Sequence, residues 1–433
     1  MKKGELSAEP TKTLFINVLT KDVDEKECIL DLIDNSIDSY TRKGYSDSRD
    51  IKIKIEKECF EIIDTCGGID FKTLKEDVFR FGVEEIKRDK PTLGLYGIGM
   101  KRALFKIGKI IKLETDDGVT HSIINIDIDK WKASDQWKMD FEYEDSILNG
   151  NLPYTSINVG TLYPEVSKQF ALETFITDIK DRIHIVYTTF ISKGIGISVN
   201  NKTLEPFLLE VRFDKDYQPA RFTEKYNDIN IAIICGISPR SKKRTAYETG
   251  HRGWNVFCNN RLILVDDLSD QTGWTGKDAK LPKYHSIFNE FYGFVFLSSN
   301  NPAKLPLNTS KTGLLTYSTT YAYILDKMIS TAKPVIKYLS NKYIDEKSES
   351  DSVEEKIKST MEIESETETI AISELKEDIK FIAPVKQTTQ YTTISYRKPK
   401  QLVDKVKSHM GTNVNKEVGS ETFDFYIEIE GIK

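Results

Sequence analysis

Residues 31–40, DLIDNSIDSY, are the stretch that most restricts what this chain can fold into. At 3.6 residues per turn, Leu32, Ile33, Ile37 and Tyr40 gather on one side, while Asp31, Asn35 and Asp38 form a stripe on the other, at i, i+4 and i+7. That is a helix period. Its polar side is nevertheless built from Asp, Asn and Ser, all mediocre helix formers, where a solvated face ordinarily uses Glu, Lys, Gln or Arg. The bland reading is a solvated helix face. The sharper one is a helix whose polar side walls a binding site.

The bounds on the answer are broad. A chain of 433 residues with 39% hydrophobic content holds two or three domains with real cores. Its 62 basic and 67 acidic residues leave a formal charge of -5, so no global electrostatic argument for nucleic acid exists and partners must be argued locally. Five cysteines, an odd number with no CxxC pair, argue for reduced thiols rather than a disulfide framework or a zinc site. The N-terminal MKKGELSAEPTKTLF has no apolar run after its lysines, and no segment approaches the roughly 20 apolar residues of a membrane span. The expectation is a cytoplasmic protein with no membrane partner.

Along the chain, helix and strand signals alternate from residue 10 to 165. The helical pattern at 21–43 precedes IKIKIEKECFEIID (51–64), whose period of two predicts a strand or hairpin. A glycine-rich turn follows, then a helical stretch near 71–80, then PTLGLYGIGMKRALFKIGKIIKLET, read as loop, helix and strand. A second unit spans 166–342, with strand-like runs at GIGISVNN, INIAIICGI, WNVFCNNRLILV and FYGFVFLS and a closing helix near 317–340. Residues 343–372 are acidic and Ser/Thr-rich, the composition of a flexible linker. Apolar residues return in 373–433, which predicts a small C-terminal α+β module.

Two glycine clusters follow the unusual helix. Asp64-Thr-Cys-Gly67-Gly68 puts a carboxylate at a strand end, immediately before glycines that permit close backbone approach. Gly94-Leu-Tyr-Gly97-Ile-Gly99-Met-Lys101 is a flexible loop leading into a helix, whose free N–H groups favour anionic oxygens. The spacing is G-x-x-G-x-G, neither the G-x-G-x-x-G of a dinucleotide fold nor a P-loop.

In order and spacing, an acid-x-x-x-Asn-Ser-x-Asp helix, an Asp-x-x-x-Gly turn and a G-x-x-G-x-G-x-K loop resemble the GHKL (Bergerat-fold) ATPases, a superfamily that includes MutL and MORC. The resemblance covers residues 15–165 and reaches residue 315 if LNTSKTG is the lysine-bearing loop of a second, transducer domain. It implies an α+β chain: a Bergerat α/β sandwich at 10–165, then a transducer-like (ribosomal S5-like) α+β domain. It implies ATP and Mg2+ as cofactors, with Asn35 holding the metal, a hard cation that prefers oxygen. Asp31 becomes the general base and Lys311 the cation reaching the terminal phosphate. Asp64 accepts from the adenine amino group beside Gly68, Asp38 belongs to the nucleotide wall, and Thr161 of VGTLY reaches the adenine region. Gly94, Gly97, Gly99 and Lys101 form the lid over the phosphates.

The resemblance further implies hydrolysis of ATP by an ATP-gated switch that forms a homodimer on binding nucleotide. It suggests work on DNA or a partner protein through the second and C-terminal domains, with defence against phage as one setting. The alternative is a nucleotide-dependent scaffold with little hydrolysis. Two departures bear on the choice. Asp31 stands where relatives that hydrolyse ATP usually carry Glu, one methylene longer, and Cys66 takes the middle position of the usual Asp-x-Gly-x-Gly. The five histidines include no acid-paired His followed by a nearby Pro, which disfavours a histidine kinase.

Overall fold

The computed structural model describes residues 11–80, 90–94, 97–213, 217–239, 252–277, 280–308, 310–349, 368–383 and 394–431. The chain divides into two units, residues 1–384 and 385–433.

The first sheet of the larger unit has eight strands in the order β5-β4-β3-β6-β2-β1-β7-β8. These are β1 (Arg49–Ile55), β2 (Cys59–Asp64), β3 (Gly108–Asp116), β4 (Thr120–Asp127), β5 (Glu142–Asp145), β6 (Tyr154–Leu162), β7 (Ile195–Val199) and β8 (Lys202–Thr203). The period of two in β1 is kept: Ile51, Ile53 and Ile55 are buried while Lys52 and Lys54 face out. One face of the sheet is therefore wet and the other carries helices, as an α/β sandwich requires.

Over the buried face lie α1 (Lys12–Thr20), α2 (Glu25–Lys43) and α4 (Gly99–Ile107), while α3 (Phe71–Thr73) runs into a π-turn at Leu74–Val78. Asp24 caps the start of α2 by accepting from the Glu27 N–H, and Gly44 ends it in the left-handed conformation at φ 73°. A short α5 (Ile128–Ala133) follows β4.

The boundary expected at residue 165 falls inside this core. The chain continues through α6 (Pro164–Phe170), α7 (Glu173–Val186) and α8 (Thr188–Ile191), which bury Val166, Phe170, Ile179 and Ile183 in the same apolar cluster as Ile51 and Ile62. β7 then returns to pair parallel with β1. A parallel pair needs a long crossover, and α6–α8 supply it.

The second sheet runs β10-β11-β14-β12-β13. Its strands are β10 (Ala220–Tyr226), β11 (Ile229–Ile237), β12 (Gly253–Cys258), β13 (Arg261–Asp267) and β14 (Phe291–Ser298). β12 is buried along its whole length because both faces of this sheet are covered. α9 (Thr319–Glu349) contributes Tyr321, Ile324, Met328 and Val335 to one face. The other face gathers Val211, Ile234, Phe257 and Ile372. That last contact revises the linker expected at 343–372. Residues 350–367 lie outside the described residues, but α9 extends to Glu349, and β15 (Thr369–Ala371) pairs antiparallel with β9 (Glu210–Arg212). Burial of Ile372 at 6% exposure gives this end of the stretch a reason to order.

The smaller unit is helical among its described residues, not α+β: α10 (Lys400–Met410) and α11 (Asn415–Glu430) form it, each closed by a left-handed glycine, Gly411 or Gly431. FDFYIEI therefore lies in a helix. Its bulky residues Phe423, Tyr426 and Ile427 recur at helical spacing, and strand propensity alone does not override that. Among the described residues no helix is long and apolar enough to cross a membrane.

Candidate functional site

The polar side of α2 is not solvated. Asp31, Asp34, Ser36 and Asp38 are buried, and of the stripe only Asn35 is exposed, into a cavity of about 490 Å3. Its walls are α2, the ends of β2 and β6, the Gly68–Asp70 turn, Gly94, residues 97–102 and, from the second sheet's side, Asn308 and Lys311. Asp31, Asp34, Ser36 and Asp38 each have a partner elsewhere in the fold, which is why the sequence tolerates them in a helix.

At one end stands Asp64. Strand register sets it beside Thr155 of β6, which in turn pairs with Thr115 of β3. The Ser36 hydroxyl donates to Asp64 Oδ2 at 2.7 Å and the Cys66 N–H donates to Oδ1 at 2.8 Å. Burial raises the Asp64 carboxyl to about 6, against the pull of those two donors. The Asp-Thr-Cys-Gly-Gly turn thus survives Cys66, because Cys66 supplies a backbone donor while Gly67 (φ 123°) and Gly68 (φ 63°) take the left-handed positions. Gly68 lines the cavity, but a Cβ there would stand 2.3 Å from the Asp116 carbonyl oxygen. Its lack of a side chain serves first the close approach of this turn to the end of β3.

Thr161 is not in the site. It sits exposed, in the left-handed region at φ 50°, near the far end of β6. Thr155, six residues earlier, lines the cavity together with Ile157, and its hydroxyl lies 3.1 Å from that of Thr115. Of the threonines in YTSINVGTL it is Thr155, not Thr161, that lines the cavity, since only the pairing of β6 with β2 reveals which end of the strand abuts Asp64.

Asp38 also has a different task. Its two oxygens accept the Leu93 and Gly94 N–H groups at 2.6 and 2.7 Å, so the carboxylate fastens the root of the glycine-rich segment. Burial pushes Asp38 up, and those two donors offset it only in part. Of that segment, Leu95 and Tyr96 lie outside the described residues, while Gly97, at φ 64°, leads into α4. Lys101 Nζ, buried in the cavity wall, donates to the Val78 carbonyl at 2.9 Å, and burial lowers it to about 8 against the attraction of Asp77.

Asp31 lies against the first turn of α4, where a Cβ on Gly99 would stand 3.1 Å from its carboxyl carbon. Arg102 grips its Oδ2 through Nε and Nη2, both at 2.6 Å, and Lys311 Nζ is 3.3 Å from its Oδ1. Almost one helical turn along α2, Asp34 Oδ2 is 2.5 Å from Lys311 Nζ, while Oδ1 accepts from Tyr187 at 2.7 Å and from Arg261 Nε at 3.0 Å. Burial pushes the Asp34 carboxyl up, but Arg261 and Lys311 outweigh it and hold it below its usual range. Sequence reasoning assigns no role to Arg102, Asp34 or Tyr187, and leaves Arg261 of RLILV open between approaching a phosphate and capping a strand.

Asn35 donates its amide nitrogen to the Asp31 carbonyl at 2.8 Å, which leaves its side-chain oxygen as a cavity-facing acceptor. No cluster of three or more His, Cys, Asp or Glu residues able to hold a metal occurs among the described residues. A magnesium ion fits such a site, since it takes one or two protein oxygens and completes its shell with phosphates and water.

An apolar slot ending in a buried carboxylate, beside a helix N-terminus and a set of cations, suits a purine at one end and phosphates at the other. Residues 23–152 match the family model of the histidine kinase-, DNA gyrase B-, and HSP90-like ATPases. They form a GHKL-type ATPase domain. The match supports ATP binding by this domain, and α2, β2 and the whole Gly94–Lys101 segment fall inside it. Lys311 and Arg261 reach the ATPase domain from outside the matched region. No curated protein matches the chain.

Proposed function

We propose that the chain is an ATP-driven conformational switch that hydrolyses ATP to ADP and phosphate and associates into a homodimer in its ATP-bound state. The observation that carries the reading is Lys311: from a loop beside the second sheet, its ammonium enters the ATPase cavity and lies between Asp31 and Asp34.

In this reading Asp64, oriented by Ser36 and Cys66, accepts the adenine amino group, with Thr155 beside it. The N-terminal turn of α4, with Gly97, Gly99 and Lys101, receives the phosphates, whose negative charge suits the positive end of the helix and a nearby ammonium. Asn35 is the ligand this chain offers to Mg2+, which when bound neutralises phosphate charge. Asp31 takes the proton of the attacking water. Its Oδ2 is held by Arg102, so Oδ1 is the working oxygen, and it is released when Lys311 turns from the two carboxylates toward the terminal phosphate. Closure and activation of the base are then one movement.

A second reading, a nucleotide-gated binder with little turnover, is favoured by the Arg102 grip on Asp31, because both guanidinium contacts occupy one of the two oxygens a base would use. Magnesium-dependent ATP hydrolysis by wild type and Asp31→Asn separates the two. Turnover lost in the variant while nucleotide still binds supports the ATPase. No turnover in wild type supports the binder. Sedimentation with and without a non-hydrolysable analogue tests the dimer, and an unchanged mass refutes it. A DNA-directed role, phage defence included, would draw on Lys242, Lys243 and Arg244, which lie outside the described residues; retention on DNA at low salt that disappears on neutralising them supports it.

A further inference from the structure

Lys311 occupies an unusual seat. Its backbone is left-handed at φ 58°, a conformation that disfavours a residue with a side chain. What holds it there is Arg261, whose Nη1 donates to the Lys311 carbonyl at 2.9 Å while its Nε donates to Asp34 at 3.0 Å. A single guanidinium thus fixes both the lysine and the carboxylate that receives it. The Lys311 ammonium sits nearer to Asp34, at 2.5 Å, than to Asp31, at 3.3 Å. Asp31 lines the cavity and Asp34 does not.

These distances separate two jobs. Arg261 and Tyr187 both use Asp34 Oδ1, so holding the second sheet's hairpin against α2 needs only that oxygen. Oδ2 is left to Lys311. Resting on the reading of Lys311 as the terminal-phosphate cation, we infer that Asp34 is a positioning residue: it is the resting seat of Lys311 and competes with the terminal phosphate for that ammonium. The flexible four-carbon stem of lysine lets the ammonium swing between the two acceptors without moving the backbone that Arg261 fixes. ADP, lacking the third phosphate, leaves Lys311 on Asp34. ATP must draw it off.

The consequence is a threshold on ATP alone. A ligand shifts such an equilibrium only by its differential interaction with the two states, and only the terminal phosphate has one here. Asp34 therefore lowers affinity for ATP and leaves that for ADP unchanged, so its strength sets the discrimination between them. Tyr187 tunes the same seat in the opposite sense. Its hydroxyl lies 2.7 Å from Asp34 Oδ1 and 2.8 Å from the Leu30 carbonyl, so its one proton is shared between them and offsets part of the Asp34 charge; without it the carboxylate holds Lys311 harder.

The test is the ratio of ADP to AMPPNP dissociation constants, measured calorimetrically with Mg2+ on the full chain. Asp34→Asn is expected to raise that ratio about 10-fold by tightening AMPPNP, with ADP unchanged. Tyr187→Phe is expected to lower it several-fold, and this variant removes only one hydroxyl, so it remains informative if Asp34→Asn folds poorly. Lys311→Gln is expected to collapse the ratio in both the wild-type and the Asp34→Asn background. A general structural role would weaken both nucleotides together and leave the ratio alone; that result in Asp34→Asn, with Lys311→Gln still collapsing the ratio, overturns the seat but spares the phosphate role of Lys311. If Lys311→Gln leaves the ratio unchanged, both fall.

Discussion

Asp64→Asn is expected to make the protein more stable and at the same time poorer at binding ATP. The Asp64 carboxyl is raised from 3.8 to about 6, because burial penalises its charge more than Ser36 and Cys66 compensate. The folded pKa lies above the unfolded one, so this group's stability contribution is fully present below about 3.8 and is lost as pH rises through about 6. At about 1.4 kcal/mol per unit, the ionised carboxylate destabilises the fold by about 3 kcal/mol at pH 8. Asparagine keeps the shape and an acceptor for the Cys66 N–H, and the Ser36 hydroxyl can turn to the Leu32 carbonyl 3.5 Å away. Urea unfolding of both proteins at pH 5 and pH 8 measures the effect. The variant should exceed wild type by about 2–3 kcal/mol at pH 8 and by about half that at pH 5. Replacing the charged acceptor should weaken AMPPNP roughly 10- to 100-fold, the range for a hydrogen bond to a charged group. A variant no more stable than wild type at pH 8, or a difference independent of pH, refutes the desolvation argument.

Other substitutions test the geometry more locally. Gly68→Ala puts a Cβ 2.3 Å from the Asp116 carbonyl oxygen in a left-handed backbone, and should destabilise by more than about 2 kcal/mol in the same unfolding assay. Thr155→Val should weaken AMPPNP by roughly 5- to 10-fold through loss of one hydroxyl at the base end, whereas Thr161→Ala, on the exposed end of β6, should leave affinity within about twofold; equal effects would reverse the assignment. Asp38→Ala leaves the Leu93 and Gly94 N–H groups without their acceptor, at about 1–3 kcal/mol each. Faster hydrogen exchange at those two amides and a raised KM for ATP are the expected signs.

Much of the ATPase domain was legible because its signals are local. A period of two gives β1 and β2, glycines mark the turn after Asp64 and the approach to α4, and the odd composition of α2 announces that its polar side is occupied. Compositional reading of the C-terminal residues went astray for the same reason, because aromatic and β-branched content in FDFYIEI speaks for strand and its spacing for helix.

By itself the sequence marked the helix, strands and tight turns between residues 25 and 116, and showed that the carboxylates of α2 need partners, since period, propensity and glycine placement act within a few residues. Only the tertiary structure decided which partners they have. Register across β2 and β6 chose Thr155 over Thr161, and the parallel return of β7 carried the first core past residue 165. Packing of the second sheet's hairpin brought Arg261 to Asp34, and with it Lys311. Those pairings join residues as many as 277 positions apart, and their Coulomb and desolvation energies depend on distances that no local pattern encodes.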